Sequence, residues 1–138
     1  MNETRERPKL LVIDDSSFVR RLTKARLEAE GCDVTTAQDG GEGLHIGLSR
    51  HFDVVVVDGK LPVVNGTEIC RRLATLPSER RPRIIFHSAT VRSFTERQEA
   101  FTAGADAVLV KEPAADNLIA TVLGMLSTRE VPATAMAS

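Results

Sequence analysis

The sequence predicts an α/β domain built on a doubly wound parallel sheet. Three observations carry that expectation. Five short aliphatic or β-branched runs recur along the chain, a segment with helical spacing follows each of them, and the strongest runs are apolar at consecutive positions rather than at alternate ones. Strands covered on both faces need helices above and below, and right-handed crossovers between successive strands supply them.

Lys9 to Ile13 (KLLVI) opens the series as a central strand and ends on Asp14-Asp15. Ser16 and Ser17 are good N-caps, and Val19, Leu22, Ala25 and Ala29 recur at helical spacing until Gly31 stops the helix. Asp33 to Ala37 (DVTTA) is short and β-branched, a second strand. Asp39 to about Arg50 carries Leu44, Ile46 and Leu48 on a second helix that Gly40, Gly41, Gly43 and Gly47 weaken. Asp53 to Val57 (DVVVV) is the strongest strand signal and ends on Asp58. A loop with Pro62 and Gly66 leads to a helix near Glu68 to Thr75, and a basic loop follows from Pro77 to Pro82. Arg83 to Phe86 opens a fourth strand that runs to His87-Ser88. Ser93 and Glu96 form a capping-box pattern at the head of a helix ending at Gly104. Ala107 to Val110 (AVLV) is the fifth strand, ending on Lys111, and Pro113 to Leu126 reads as the last helix. Residues 1–8 read as a flexible segment, 9–127 as one domain, and 128–138 as a disordered tail or the start of a linker.

At 138 residues, with 42% apolar and 27% charged residues, the chain can hold one core without disulfides or a structural metal. Cys32 and Cys70 lack metal-ligand spacing and read as reduced, packed or turn thiols. The polar start and the short apolar runs exclude a signal peptide and a membrane-spanning helix. Eighteen basic and 19 acidic residues leave a net charge of -1, so no global field draws the chain to nucleic acid or an anionic membrane. The expectation is a cytoplasmic protein that acts through one local site.

In open α/β sheets that site lies at the carboxyl ends of the strands. The residues there are Asp14 and Asp15, Asp58, Ser88 and Lys111, from four different strands. Carboxylates about 4 to 6 Å apart repel by roughly 3 to 4 kcal/mol per pair at an effective dielectric of 20. Such a cluster recruits a cation, and an all-oxygen donor set without His or Cys suits Mg²⁺, with Mn²⁺ the alternative. A carboxylate nucleophile, a metal that neutralises phosphoryl oxygens, a lysine and a serine are together the parts of a phosphoryl-transfer site.

On these residues the sequence resembles the receiver domain of two-component response regulators, and in particular the single-domain receivers of the chemotaxis-regulator kind. The carriers are KLLVIDDSSFVRR (Lys9 to Arg21), DVVVVDGKLPVVNG (Asp53 to Gly66), Ser88-Ala89, GADAVLVK (Gly104 to Lys111) and Leu118, spanning Lys9 to Leu126. The resemblance implies a flavodoxin-like (βα)5 fold with strand order 2-1-3-4-5. It implies Asp58 as phosphoacceptor, with Asp14, Asp15 and the backbone carbonyl of Lys60 joining Asp58 around Mg²⁺. It makes Ser88 and Lys111 the groups that grip the phosphoryl, Ser88 and Thr90 parts of the switch, and Phe18 a docking residue. The implied partners are a histidine kinase or histidine phosphotransfer protein and a downstream protein target. The implied activity is a signalling switch that catalyses only its own phosphorylation and dephosphorylation.

Three departures stand out. The aromatic residue that the family places three positions before the lysine is Val108 here. Glu112 follows Lys111 where proline is usual, and proline comes one residue later; because a non-proline cis bond costs about 2.5 to 4 kcal/mol, a trans bond is expected. Lys60, two residues after Asp58, can reach over an acyl phosphate and is expected to alter its lifetime.

Plainer readings compete. Asp15 and Asp58 could simply satisfy helix N-termini, and Lys111 could be a solvated strand-end lysine. His87 is expected to be a hydrogen-bonded core or rim histidine aimed away from the site by side-chain alternation. Phe18 can be buried against Leu22 or exposed, and Arg80, Arg81 and Arg83 read as a solvated turn. Two enzyme or cofactor alternatives are weighed against the switch. A Mg²⁺-dependent phosphatase wants an acid where Lys60 stands, and a flavodoxin-like cofactor module wants a phosphate cradle where Asp14-Asp15 stand. A receiver excised from a larger regulator also fits.

Overall fold

The computed structural model describes residues 7–91 and 93–128, and in it five parallel strands form one sheet. The elements are β1 (Lys9–Ile13), α1 (Ser17–Ala29), β2 (Asp33–Ala37), α2 (Gly40–Ser49), β3 (Val54–Asp58), α3 (Gly66–Ala74), β4 (Arg83–Ser88), α4 (Phe94–Ala103), β5 (Ala107–Val110) and α5 (Asp116–Thr128). Strand order is β2-β1-β3-β4-β5, as expected. The expectations for residues 1–6 and for the tail beyond 128 lie outside the described residues. No helix among the described residues is long and apolar enough to cross a membrane.

Alternation along each strand divides the core in two. Leu11, Ile13, Val55, Val57, Ile84, Phe86 and Val108 pack with Ile69 and Leu73 of α3 and Ala100 of α4. Leu10, Val12, Val54, Val56 and Ile85 pack on the other face with Leu27 of α1 and Leu118 and Val122 of α5. Burying each large aliphatic contributes about 1.5 to 3 kcal/mol, so four consecutive valines are best covered in the middle strand of the sheet. β3, buried at all five positions, is that middle strand.

The register aligns the strand ends that matter. Ile13 pairs with Val57, Asp58 with His87, and Ser88 with Val110, so the residues after β1, β3, β4 and β5 meet on one rim. Helix starts follow the side-chain caps: Ser16, Asp39, Asn65 and Ser93 each accept a backbone N–H of the first turn.

Two boundaries differ from expectation. α3 starts at Gly66 rather than Glu68, because Asn65 caps it through the Glu68 N–H at 3.1 Å. α5 starts at Asp116 rather than Pro113. Residues 113–115 form a turn in which the Ala115 N–H donates to the Glu112 carbonyl and Ala115 itself sits at φ 61°. Glu112, standing where proline is usual in the family it resembles, accepts the Asn117 N–H on its carboxylate at 3.2 Å. The backbone holds no cis peptide bond among the described residues, so the Lys111–Glu112 bond is trans.

One glycine is fixed by the fold around the rim. A Cβ at Gly66 would fall on the carbonyl oxygen of Asp58 and 3.0 Å from the Gly59 Cα, both backbone atoms that cannot step aside. Gly66→Ala is therefore expected to cost about 2 kcal/mol or more, within the range for forced overpacking. Denaturant unfolding at fixed pH measures it, and a loss below about 0.5 kcal/mol, the scale of an ordinary surface change, contradicts it.

Candidate functional site

Asp14 leaves β1 with its backbone N–H bound to the Ala37 carbonyl at 3.1 Å, and the Arg20 guanidinium of α1 donates to the Asp14 carbonyl at 2.7 Å. Its carboxylate is 2% exposed; one oxygen accepts the Ser16 N–H at 2.9 Å and the other meets the Lys111 ammonium at 2.9 Å. Asp58, 4% exposed at the end of β3, accepts the Lys60 N–H on one oxygen at 3.3 Å and faces the same ammonium with the other at 3.3 Å. Asp15 is exposed beside them. One ligand atom from each of Asp14, Asp15 and Asp58 lies within 4.8 Å of the others. Two of the three carboxylates, Asp14 and Asp58, thus share the one Lys111 ammonium, and the acids outnumber the cation.

The charge states follow from that crowding. Burial first, and then the Asp14 charge, push the Asp58 carboxyl up to about 6, while Lys111 and the Lys60 N–H pull the other way. Burial alone would lower Lys111, but hydrogen bonding and charge from Asp14, then from Asp58, outweigh it and raise its pKa. The site holds a cation firmly and its acids reluctantly.

The donor set fits a hard divalent cation: three carboxylates from two strand ends, no His or Cys among them, and an uncompensated negative charge that a 2+ ion neutralises. Mg²⁺ should therefore stabilise the fold by mass action, by about 2.7 kcal/mol at a hundredfold excess over its Kd. Melting at fixed pH and ionic strength with increasing Mg²⁺ checks this; an unchanged midpoint shows that the acids bind no metal.

Ser88 ends β4 on the same rim, 3% exposed, and its carbonyl accepts the Lys111 N–H at 3.0 Å. Thr90 stands over it: the Thr90 N–H and hydroxyl both lie 3.3 Å from the Ser88 oxygen. Lys60 is exposed and lines a cleft with Gly59, Ser88 and Thr90. Phe18 is 63% exposed in the first turn of α1, which settles the choice between burial and exposure. Val108 is buried in the sheet. His87 is buried, its pKa pushed down to about 4 by burial with help from Lys111, and its Nε2 finds no hydrogen-bond partner among the described residues. A core position holds as expected; a hydrogen bond at that nitrogen does not. Cys32 and Cys70 are free and buried. Arg80 and Arg81 are tied back to the carbonyls of Leu48 and Gly104, and Arg81 also pairs with Asp106 at 3.1 Å, so this loop is braced rather than merely solvated.

Two residues on this rim escaped sequence reasoning. Arg20 lies six residues past Asp14, where one turn of a helix folds it back onto the strand end. Phe86, two residues before Ser88, shares the face of Ser88 by simple alternation, a signal the sequence did contain.

Known proteins resemble this chain in sequence and in fold. The family model for the response regulator receiver domain matches residues 10–123. The phosphate regulon transcriptional regulatory protein PhoB of Rhizobium meliloti is 36% identical over 119 residues, covering 86% of this chain and 52% of that protein. The transcriptional regulatory protein ResD of Bacillus subtilis is 32% identical over 111 residues, covering 80% of this chain and 44% of its own length. The chain spans about half the length of these curated relatives. Among solved structures, a CheY-like receiver domain protein from Methanospirillum hungatei superposes with a TM-score of 0.82 at 28% identity, covering 91% of this chain and 98% of the other. The chemotaxis response regulator CheY4 of Vibrio cholerae gives 0.78 at 28% identity, covering 86% and 98%.

Proposed function

The chain belongs to the response regulator receiver domain family, and from that premise we propose that it takes a phosphoryl group onto Asp58 from a phosphohistidine on a histidine kinase or phosphotransfer protein. The observation that carries this reading is the placement of Asp58: a buried carboxylate at a strand end, against Asp14 and under the Lys111 ammonium.

The Asp58 carboxylate attacks phosphorus; the bond to the donor nitrogen breaks with its electron pair left on the donor imidazole, and an acyl phosphate remains. Lys111 follows the charge from the two carboxylates to the phosphoryl oxygens, and Ser88 donates its hydroxyl to one of them, with Thr90 setting the orientation of that hydroxyl. Asp14, Asp15, Asp58 and the Lys60 carbonyl would hold Mg²⁺, which when bound neutralises phosphoryl oxygens. Adding about -1.5 to -2 charges at this point changes which partner the surface fits, with Phe18 available for donor docking.

Intact-mass measurement after incubation with acetyl phosphate and Mg²⁺ tests the reading. One stoichiometric adduct that decays slowly is expected; sustained release of phosphate over many turnovers would instead make the chain a phosphatase. Lys60 supplies a further expectation. Its cation over the phosphoryl favours the acyl phosphate and crowds the approach of water, so Lys60→Asn should shorten phosphoryl lifetime roughly threefold, the scale of one exposed ion pair. Decay of the adduct followed by mass reads this, and an equal or longer lifetime refutes it.

A further inference from the structure

The ladder places an aromatic side chain beside the buried Val108. Phe86 of β4 pairs directly with Val108 of β5 on one side and with Val57 of β3 on the other, one residue short of Asp58. The ring is 7% exposed and its far edge reaches the acceptor loop: a Cβ at Gly59 would stand 2.8 Å from both Phe86 Cε2 and Cζ and 2.9 Å from the Ser88 Cβ. Residue 59, the Phe86 ring and Ser88 therefore share one small volume, and only glycine at 59 leaves room for the ring.

The ring also has somewhere to go. A cleft of about 120 Å³ lies beside it, lined among others by Ser88, Thr90, Thr67 and Glu99. A cavity of about 150 Å³ accepts a whole benzene molecule, so this space takes most of a phenyl ring. Thr67 of α3 and Glu99 of α4 are also walls of the larger groove that Arg71 of α3 and Phe94 of α4 line. The exposed Phe94 thus lines a groove that shares two walls, Thr67 and Glu99, with the cleft beside the ring.

Resting on the proposed acceptor role of Asp58, we propose that Phe86 is the side chain that couples the phosphoryl site to α4. When Ser88 is drawn to a phosphoryl group on Asp58, the ring leaves its place over Gly59 for another staggered rotamer in the cleft, and the walls shared with the α3–α4 groove move with it.

The test uses the full chain with 4-fluorophenylalanine placed singly at 86 or at 94, titrated with Mg²⁺ and beryllofluoride as the phosphoryl mimic, with the acetyl-phosphate adduct weighed in parallel. A saturable shift of both fluorine signals is expected. In Phe86→Leu the adduct should form as in the parent chain while the signal at 94 loses most of its shift. An adduct with an unmoved signal at 86, or a full shift at 94 in the leucine chain, overturns the coupling role and leaves the acceptor reading standing. Absence of any adduct in the parent chain overturns both. The signal at 86 is read in the unsubstituted fold, so the test stands even if the leucine variant does not fold.

Discussion

Asp58→Asn should carry no phosphoryl group after exposure to acetyl phosphate and Mg²⁺, a fall of at least about a thousandfold in labelling rate, the scale of deleting a nucleophile from a working site. An asparagine side chain fills almost the same space and its one carbonyl oxygen keeps one of the two contacts, to the Lys60 N–H or to Lys111, while Asp14 still holds the ammonium, so the loss would report chemistry and not collapse. Asp15 provides the comparison. It is exposed and lies within 4.8 Å of the other two acids, which fits a metal ligand better than an attacking group. Asp15→Asn should therefore still be labelled at Asp58, but more slowly and with a higher requirement for Mg²⁺. Peptide mapping of the adduct decides between them. Label on Asp14 or Asp15, or undiminished labelling of Asp58→Asn, would remove Asp58 from the acceptor role.

Most of this site was legible because topology does the gathering. KLLVI, DVVVV, RIIF and AVLV can be buried on two faces only as neighbouring parallel strands, and parallel strands put all their carboxyl ends on one rim. Asp14, Asp15, Asp58, Ser88 and Lys111 follow from that without any knowledge of side-chain geometry. What stayed hidden depends on local backbone conformation or on register. Pro113 reads as a helix start, but the left-handed Ala115 delays α5 to Asp116, and nothing in an alanine announces a positive φ. Val63 is similar: a β-branched residue at φ 74°, in a turn where the Val64 N–H donates to the Pro62 carbonyl at 2.9 Å. Gly66 argues against a helix by propensity, yet the Asn65 cap and the close approach of the Asp58 carbonyl require it at the first position of α3. Phe86 was readable as a strand residue; that it pairs with Val108 required the β4–β5 register, which a four-residue strand does not fix by pattern alone.

The second large expectation concerns the chain without metal, where the same crowding works against folding. Asp58 has an ordinary pKa of 3.8 in the open chain and about 6 in the fold. Between those values the folded chain keeps a proton that the unfolded chain has released, so stability falls as pH rises through that window, and the loss is complete above about 6. Each unit corresponds to about 1.4 kcal/mol, and because Lys111 shares the site with Asp14 the net cost at pH 7.5 is set at about 1 to 2 kcal/mol. Asp58→Asn should therefore melt about 3 to 6 °C above the parent at pH 7.5 without divalent ions. At pH 4, where Asp58 is already protonated in the fold, the two should converge. The ammonium is not orphaned by the change, since Asp14 still lies 2.9 Å away. Lys111→Met is the opposite case: it leaves Asp14 and Asp58 buried together without a cation, and should lower stability by about 3 kcal/mol, the scale of breaking a buried pair. Mg²⁺ should recover much of that loss by replacing the missing positive charge, while doing little for Asp58→Asn. Thermal unfolding of the three chains at pH 4 and 7.5, with and without Mg²⁺, reads every term. If Asp58→Asn melts at or below the parent at pH 7.5, Lys111 already balances the acids, and the drive to bind a divalent ion must come from somewhere other than their mutual repulsion.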